Sequence, residues 1–378
     1  MKILIAGDFC PQNRVADLFS KREFDRVLGQ VKPIISQSDF SIVNFECAAT
    51  NGKGKPISKL GPNLQCDETG VEAVKRAGFD CVTLANNHFR DFGDEGVLET
   101  MKLFSKYDID TVGGGLTLDD ASKTLYKVIG GKTIAIINCC EHEFTIATEH
   151  TGGSNPLNPI QQYYEIQKAK LSADYVLVIV HGGHEHYRFP SLRMQETYRF
   201  FVEAGADAVV NHHQHCYSGF EVYKGKPIFY GLGNFCFDYT VFSKQHPTWA
   251  YGYMVELDFG DTVLYKIYPY EQSGETPTVR LLDGYAFEEE IKKMNAIISN
   301  KNRLKKVQEE YYASETNVIL SVFQPFRSRA AFGLRRFGLM PSFMSERWKL
   351  ALYNYIVCEA HLDKVKFFLI SQQNTSNE

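Results

Sequence analysis

Histidines cluster in one stretch of this sequence and have the chemistry to ligate a metal. Of the 11 histidines, six lie close together: His181, His184, His186, His212, His213 and His215. Asp8, Glu46 and Asn87 stand far upstream. Imidazole, carboxylate and amide groups without clustered cysteines favour Mn²⁺, Fe²⁺ or Zn²⁺ over a cysteine-rich structural zinc. One bridging carboxylate with several imidazoles can hold two such ions, which together activate a water and clamp a phosphoryl oxygen.

An α/β sheet would bring these distant residues to one edge. Short β-branched runs alternate with amphipathic stretches up to about residue 270, which is typical of strands covered by helices. The pattern predicts strands at 2–6, 40–43, 81–85, 133–138, 175–180, 208–210 and 228–232, and helices at 14–37, 68–77, 94–107, 160–171 and 192–204. Polar side chains follow nearly every strand, where ligands bind in such sheets. We therefore predict an α/β fold with its site at the carboxyl ends of the strands.

Composition describes a folded protein and names no partner. The 378 residues are 44% hydrophobic and 23% charged, which is enough apolar material for a sizeable core. The formal net charge is -4, so the chain has no overall attraction to nucleic acid or to an anionic membrane. We expect no nucleic-acid partner.

Cysteine usage and the first residues predict a cytoplasmic protein. The nine cysteines are scattered without a CxxC pair, which is typical of reduced thiols. The first apolar run reaches Asp8 too soon for a signal peptide, and no later run is long enough for a membrane span.

The sequence changes character after about residue 270, and we predict domains at 1–275 and 280–378, the second a helical C-terminal extension. Its segment 327–349 is basic and contains Arg327, Arg329, Arg335, Arg336, Arg347 and Lys349. We interpret this segment as the solvated face of a helical cap. The alternative is a peripheral docking surface for an anionic polymer, a membrane surface or a partner.

Six segments, in order, carry a resemblance to a known family: 7–8, 43–46, 85–96, 181–185, 205–215 and 226–238. Through them the chain resembles the CapA-like proteins of capsule and poly-γ-glutamate synthesis, a branch of the calcineurin-like metallophosphoesterase superfamily. The resemblance covers roughly the first 240 residues. It implies a four-layer α/β sandwich, two mixed sheets flanked by helices, with an α-helical C-terminal appendage.

The resemblance also implies roles for individual residues. Asp8 and His215 would ligate the first of two divalent transition metal ions, Glu46 would bridge them, and the second would take Asn87, His181 and His213. His88 would donate a proton to the leaving oxygen and Asp91 would orient it. From the residues themselves we predict a substrate pocket lined by Asn44, His184, Glu185, His186, His212 and Asn234. His184, His186 and His212 could instead support the metal ligands from behind, and Glu185 could be a base or an ion-pair partner. We interpret His142, His150, His246 and His361 as structural.

One departure from the superfamily concerns the first metal. Cys10 stands where the superfamily usually has a histidine, which leaves that site poor in ligands. Cys10 is either a soft ligand or a buried thiol, and we favour the buried thiol.

These features predict a dinuclear metal-dependent hydrolase, most simply of a phosphoester, in which His88 protonates the leaving group. The resemblance links it to capsule or extracellular polymer synthesis, with a small molecule or polymer precursor as substrate. Two alternatives stay open: an amide hydrolase or transferase acting on γ-glutamyl links, and a non-catalytic polymer-assembly protein.

Overall fold

The computed structural model describes residues 1–239, 246–322, 330, 333, 334, 337, 339, 345–357, 361, 362, 364 and 365. Its strands are β1 Lys2–Phe9, β2 Phe40–Phe45, β3 Ala48–Ala49, β4 Gln65–Cys66, β5 Cys81–Thr83, β6 Asp110–Val112, β7 Gly114–Gly115, β8 Leu125–Ile129, β9 Lys132–Cys140, β10 Gly153–Ser154, β11 Tyr175–His181, β12 Ala208–His212, β13 Phe220–Tyr223, β14 Lys226–Phe229, β15 Asn234–Cys236, β16 Tyr251–Phe259, β17 Val263–Gln272 and β18 Val279–Leu281. Its helices are α1 Asn13–Ser20, α2 Phe24–Leu28, α3 Lys32–Ile35, α4 Glu68–Ala77, α5 Gly93–Lys106, α6 Leu118–Ala121, α7 Pro159–Lys170, α8 Leu192–Ala204, α9 Gly284–Ile298, α10 Lys301–Val322 and α11 Glu346–Val357, with a 3₁₀ turn at Pro247–Ala250.

Two mixed sheets carry the fold. The first has the order β18-β17-β16-β1-β2-β5-β6, and β15 pairs in parallel with the end of β1. The second has the order β13-β14-β12-β11-β9-β8. In each sheet the central strands are parallel, and antiparallel strands complete it. Parallel strands end at the same edge, so each sheet delivers several loops to one side.

The layers follow from alternation along the strands. Ile3 and Ile5 of β1 face a core shared with Leu177 and Ile179 of β11, which lies between the sheets. Leu4 and Ala6 face the other way, against a core that includes residues of α1, α4 and α5. On the far side of the second sheet, residues of β11 pack against α7 and α8. This confirms the predicted sandwich, and burial on both faces explains why the strands read as unbroken apolar runs.

Most predicted elements are present, but the predicted helix 14–37 is wrong. This segment forms three short helices, α1 to α3. Arg22, between α1 and α2, has a left-handed backbone with φ of 60°, which an α-helix does not tolerate. Pro33 lies in the first turn of α3, where its missing N–H costs nothing. The apolar spacing that suggested one helix therefore belongs to three.

The chain divides into two compact units, Met1–Lys305 and Lys306–Glu378. The first extends beyond residue 275 because α9 inserts Phe287, Ile291 and Met294 into the core between the sheets. In the second, the described residues are mainly helical, as predicted. The division at 275–280 remains a prediction. Arg327, Arg329, Arg335 and Arg336 of the basic segment lie outside the described residues, whereas Arg347 and Lys349 lie exposed on α11.

Candidate metal centre

The predicted metal ligands come from both sheets and meet where their strands end. Asp8 lies in β1, and Glu46 directly follows β2. The backbone N–H of Glu46 donates to the carbonyl oxygen of Phe9 at 2.9 Å, which fixes Glu46 to the first sheet. His181 is the last residue of β11, and His213 and His215 follow β12. The N–H of His213 donates to Oδ2 of Asp8 at 3.3 Å, which joins the two sheets at the site.

Two groups of buried ligand atoms share one carboxylate. Glu46, His181 and His213 form one group, Asp8, Glu46 and His215 the other, and within each the ligand atoms lie within 4.8 Å of one another. Oε1 of Glu46 is 3.4 Å from Nε2 of His181 and 3.5 Å from Nε2 of His215. These are the groupings that the sequence analysis predicted for two sites bridged by Glu46.

Asparagines complete the surroundings of these groups. Oδ1 of Asn87 lies 3.0 Å from Nε2 of His181, which places Asn87 beside the group of Glu46, His181 and His213. The buried amide of Asn44 donates to Oδ1 of Asp8 at 2.7 Å and accepts from Oγ1 of Thr83 at 3.0 Å. Asn44 thus orients Asp8, and its contact with a substrate remains a prediction. Asn234 lies behind His215, with its Oδ1 2.9 Å from Nδ1, so that Nε2 of His215 faces Glu46.

The loop after β12 is strained. His213 and His215 have φ values of 91° and 53°, in the left-handed region that non-glycine residues rarely adopt. Such conformations cost roughly 1–3 kcal/mol each and concentrate at functional sites. Here the conformation turns two nearby imidazoles toward the same carboxylate.

Burial disfavours the charged form of most titratable groups in the cluster, and His215 is the exception. Burial raises the pKa of Asp8 to about 6, with the nearby Glu46 adding to the effect, and burial also raises the pKa of Glu46. Burial holds the pKa of His181 and that of His213 well below the ordinary range, so both imidazoles are neutral. Burial alone would lower the pKa of His215, but Glu46, Glu185 and Asp8 outweigh it and raise that pKa.

The carboxylate of Glu46 provides the test of whether these residues fit a metal. Both of its oxygens are buried, and neither has a hydrogen-bond partner among the residues that the structure describes. A buried carboxylate without a partner is costly unless a cation compensates it. Neutral imidazoles and carboxylate oxygens suit Mn²⁺, Fe²⁺ or Zn²⁺. The donor set therefore fits divalent ions, held by Asp8, Glu46, Asn87, His181, His213 and His215.

The predicted proton donor lies beside this cluster. Nδ1 of His88 is 2.6 Å from Oδ2 of Asp91 and 3.1 Å from Nζ of Lys59, and of these two neighbours only the carboxylate can accept a proton carried by Nδ1. Oδ1 of Asp91 forms an ion pair with Lys59, whose side chain is 3% exposed. Asp91 also accepts from the N–H of Leu64 at 2.7 Å. Asp91 therefore holds both His88 and the loop that carries Lys59.

A pocket of about 170 Å³ opens next to the cluster. Its walls are Pro62, Leu64, His88, Glu185, His186, His215, Phe237, Tyr239 and Trp249. Two of the predicted substrate residues, Glu185 and His186, thus line it. Burial lowers the pKa of His186 to about 4, helped by His215, so this imidazole is neutral.

The other predicted lining residues lie elsewhere. His212 is buried, with Nε2 2.9 Å from the carbonyl oxygen of Ala6. His184 is not among the pocket residues described, and its ring lies against Tyr187. Roles for both in substrate binding remain predictions.

Cys10 is buried, with Sγ 3.4 Å from Nε2 of Gln12, and in the described part of the chain it belongs to neither ligand group.

Three residues near the site were not assigned to it from the sequence. Glu143 lies 3.7 Å from His213, and Lys59 contacts Asp91. His246, interpreted above as structural, stacks on His186 with 4.0 Å between ring centres. Glu143 follows β9, so the strand-end rule could have found it. No pattern marks Lys59, which lies in an irregular loop.

Two mixed sheets whose strand ends meet at a buried histidine–carboxylate cluster define a candidate metalloprotein of the α/β class. Residues 2–239 match the family model of the bacterial capsule synthesis protein PGA_cap, and the chain belongs to this family. The resemblance to CapA-like proteins is thereby confirmed.

Curated relatives agree with this assignment. The chain is 35% identical over 246 residues to the capsule biosynthesis protein CapA of Bacillus anthracis, covering 63% of this chain and 60% of that protein. It is 34% identical over 235 residues to the PGA biosynthesis protein CapA of Bacillus subtilis (strain 168), covering 61% and 62%. The matches thus span about 60% of these relatives' length.

A structural comparison and the helices add two further findings. The crystal structure of a hypothetical protein from Thermus thermophilus is similar with a TM-score of 0.47 and 18% identity, over 72% of this chain and 99% of that one. Within the described residues, no helix has the length and apolar character to cross a membrane.

Proposed function

We propose that this protein is a dinuclear metal-dependent phosphoester hydrolase that acts in capsule or poly-γ-glutamate synthesis. One observation carries the proposal: within the described part of the chain, the buried carboxylate of Glu46 has no hydrogen bond and is shared by two groups of ligand atoms. A bridging carboxylate between two divalent ions would explain both facts. The family membership supports the biological setting.

Two divalent ions at this centre would supply an activated water and polarise the phosphoryl oxygen. Asp8 and His215 would hold the first ion, His181, His213 and Asn87 the second, and Glu46 would contribute to both. His88 stands at the pocket wall with its Nδ1 proton held by Asp91. Its Nε2 is the atom that delivers a proton to the departing oxygen.

The pocket supports a small molecule or the end of a polymer precursor as substrate. A volume of about 170 Å³ accommodates one small group beside the cluster rather than a length of polymer. Pro62, Leu64 and Phe237 form an apolar wall on one side of the pocket. We further propose that the protein is cytoplasmic and makes a peripheral contact through segment 327–349.

A second candidate is hydrolysis or transfer of a γ-glutamyl amide. It is favoured by two further carboxylates near the centre, Glu143 and Glu185, which lie close enough for Glu185 to raise the pKa of Glu143, after the larger effect of burial. Carboxylates repel a phosphate dianion more than a neutral amide carbonyl. A metal clamp polarises either group.

A substrate panel separates these candidates. The full chain, loaded with Mn²⁺, is assayed against phosphomonoesters, phosphodiesters and γ-glutamyl peptides, with Glu46→Ala as the inactive control. We expect turnover of a phosphoester that disappears in Glu46→Ala. Turnover of γ-glutamyl peptides alone would establish the second candidate, and a metal-loaded protein inert toward all three classes would favour the non-catalytic assembly protein.

A further inference from the structure

Glu143 touches two predicted ligands of the same metal. It lies in the loop after β9, and its side chain is 39% exposed. Its Oε1 is 3.7 Å from Nε2 of His213, and its Oε2 is 3.5 Å from Nδ2 of Asn87. One carboxylate therefore faces the outer side of both groups.

Each of these two ligands has its other end turned toward the cluster. Nδ1 of His213 lies 3.0 Å from Nε2 of His181. Oδ1 of Asn87 lies 3.0 Å from the same Nε2 atom. The donor ends of His213 and Asn87 thus point toward Glu143, and their acceptor ends converge at His181.

We propose that Glu143 is a positioning residue for the second metal site, which rests on the metal centre of the proposed function but not on hydrolysis. Oε1 of Glu143 now lies 3.7 Å from Nε2 of His213, and a short closing movement lets the carboxylate accept from Nε2–H, which fixes the tautomer whose Nδ1 lone pair faces the cluster. It also accepts from the amide of Asn87, which leaves Oδ1 directed inward. Because its side chain is partly exposed, Glu143 has room to close on both donors.

The physical role is that of a carboxylate behind a metal-bound imidazole. Such a partner fixes the ring orientation and makes the ligand nitrogen more basic, and its removal typically weakens metal affinity by about 10–100-fold. A carboxylate that also holds a second ligand of the same ion couples the two. The effect should fall on one of the two metal equivalents, because His213 and Asn87, which Glu143 contacts, are both predicted ligands of the second metal.

The test is a Mn²⁺ titration of the metal-stripped full chain, with free Mn²⁺ followed by its electron paramagnetic resonance signal. For Glu143→Gln and Glu143→Ala we expect one of the two equivalents to bind about 10–100-fold more weakly. Glu143→Asp should recover part of the affinity. Glu149→Gln is the matched control, because Glu149 is an exposed residue nearby and the change in charge is the same.

Several results would overturn the inference. One is a Glu143→Gln variant that binds Mn²⁺ with the same affinities as the Glu149→Gln control. Another is a wild-type chain that binds no Mn²⁺. Loss of a directly bound carboxylate oxygen in X-ray absorption of the Co²⁺-loaded variant would show that Glu143 is itself a ligand. A lowered unfolding midpoint in the metal-free variant, without a selective loss of one equivalent, would indicate a merely structural role.

The inference and the proposed function fail separately. A chain that binds two equivalents, loses one in the Glu143 variants and hydrolyses nothing would retain the inference and refute the hydrolase. An active phosphoesterase whose Mn²⁺ affinity is unaffected by these variants would do the opposite.

Discussion

Nε2 of His181 lies 3.4 Å from Oε1 of Glu46, an oxygen that is buried and accepts no hydrogen bond. Burial holds the pKa of this histidine well below its ordinary value, so it brings no positive charge to the carboxylate. His215, 3.5 Å from the same oxygen, counters the effect of burial only in part, because the pKa of Glu46 stays raised. Such an arrangement lowers the stability of the metal-free protein and prepares the site for a cation.

Glu46→Gln should therefore have opposite effects with and without metal. In the metal-free protein at pH 8, we expect a higher free energy of unfolding than wild type, because the amide avoids the cost of a buried charge. With Mn²⁺, the wild type should gain stability and the variant should not. Urea unfolding with and without Mn²⁺ measures both effects. A variant stabilised by Mn²⁺ as much as wild type would show that Glu46 does not hold the metal.

His88→Asn should remove a proton donor while the metal content stays unchanged. General acid catalysis typically contributes about 10²–10⁴-fold, so we expect a loss in kcat of that order for an ester with a poor leaving group. The loss should shrink for a good leaving group such as p-nitrophenolate, which needs no proton. His150→Asn, at an exposed position, is the control. Equal losses for both kinds of ester would argue against proton donation by His88.

Lys59→Met should destabilise the metal-free protein strongly. The side chains of Lys59 and Asp91 are 3% and 0% exposed, and removal of one partner leaves a buried charge unpaired. Breaking a buried ion pair in this way costs about 3–5 kcal/mol. Combining Lys59→Met with Asp91→Asn should recover part of the loss. Lys53→Met is the control, since Lys53 is 59% exposed and its pair with Glu99 should contribute less than about 1 kcal/mol.

The stability of the metal-free protein should fall as pH rises through the range in which Asp8 ionises. Folding raises the pKa of Asp8 from 3.8 to about 6, so the folded state favours the protonated carboxyl. The folded protein then binds more protons than the unfolded chain between these pH values, and its free energy of unfolding decreases by about 2 kcal/mol on going from pH 4 to pH 7. Asp8→Asn should flatten this part of the curve, which urea unfolding across pH would measure. A wild-type curve that, relative to that of Asp8→Asn, shows no additional loss of stability over this range would contradict the burial of Asp8.

The sandwich was predictable because its strands are buried on both faces. Residues such as Ile3, Leu4 and Ile5 make an unbroken apolar run that needs no knowledge of its neighbours. The predicted helix 14–37 failed because apolar spacing does not reveal the left-handed turn at Arg22. A positive φ at Arg22 could not be predicted, because arginine rarely adopts this backbone conformation.

The placement of candidate site residues was predictable where a residue lies at or shortly after the end of a strand and also falls in a family segment, as Asp8, His181 and His215 do. Lys59 could not be found in this way. It lies in an irregular loop, and it is buried where it forms an ion pair with Asp91, 32 residues later. The stack of His246 on His186 likewise joins residues 60 positions apart. Contacts of this kind are properties of the folded chain and leave no local pattern.

The central claim is that two divalent ions share Glu46, and metal stoichiometry tests it most directly. The full chain is stripped, incubated in turn with Mn²⁺, Fe²⁺ and Zn²⁺, freed of unbound metal and analysed by inductively coupled plasma mass spectrometry. We predict two equivalents per chain for at least one of these metals and loss of both in Glu46→Ala. A chain that retains none of the three, or a Glu46→Ala variant that retains both equivalents, would contradict the account.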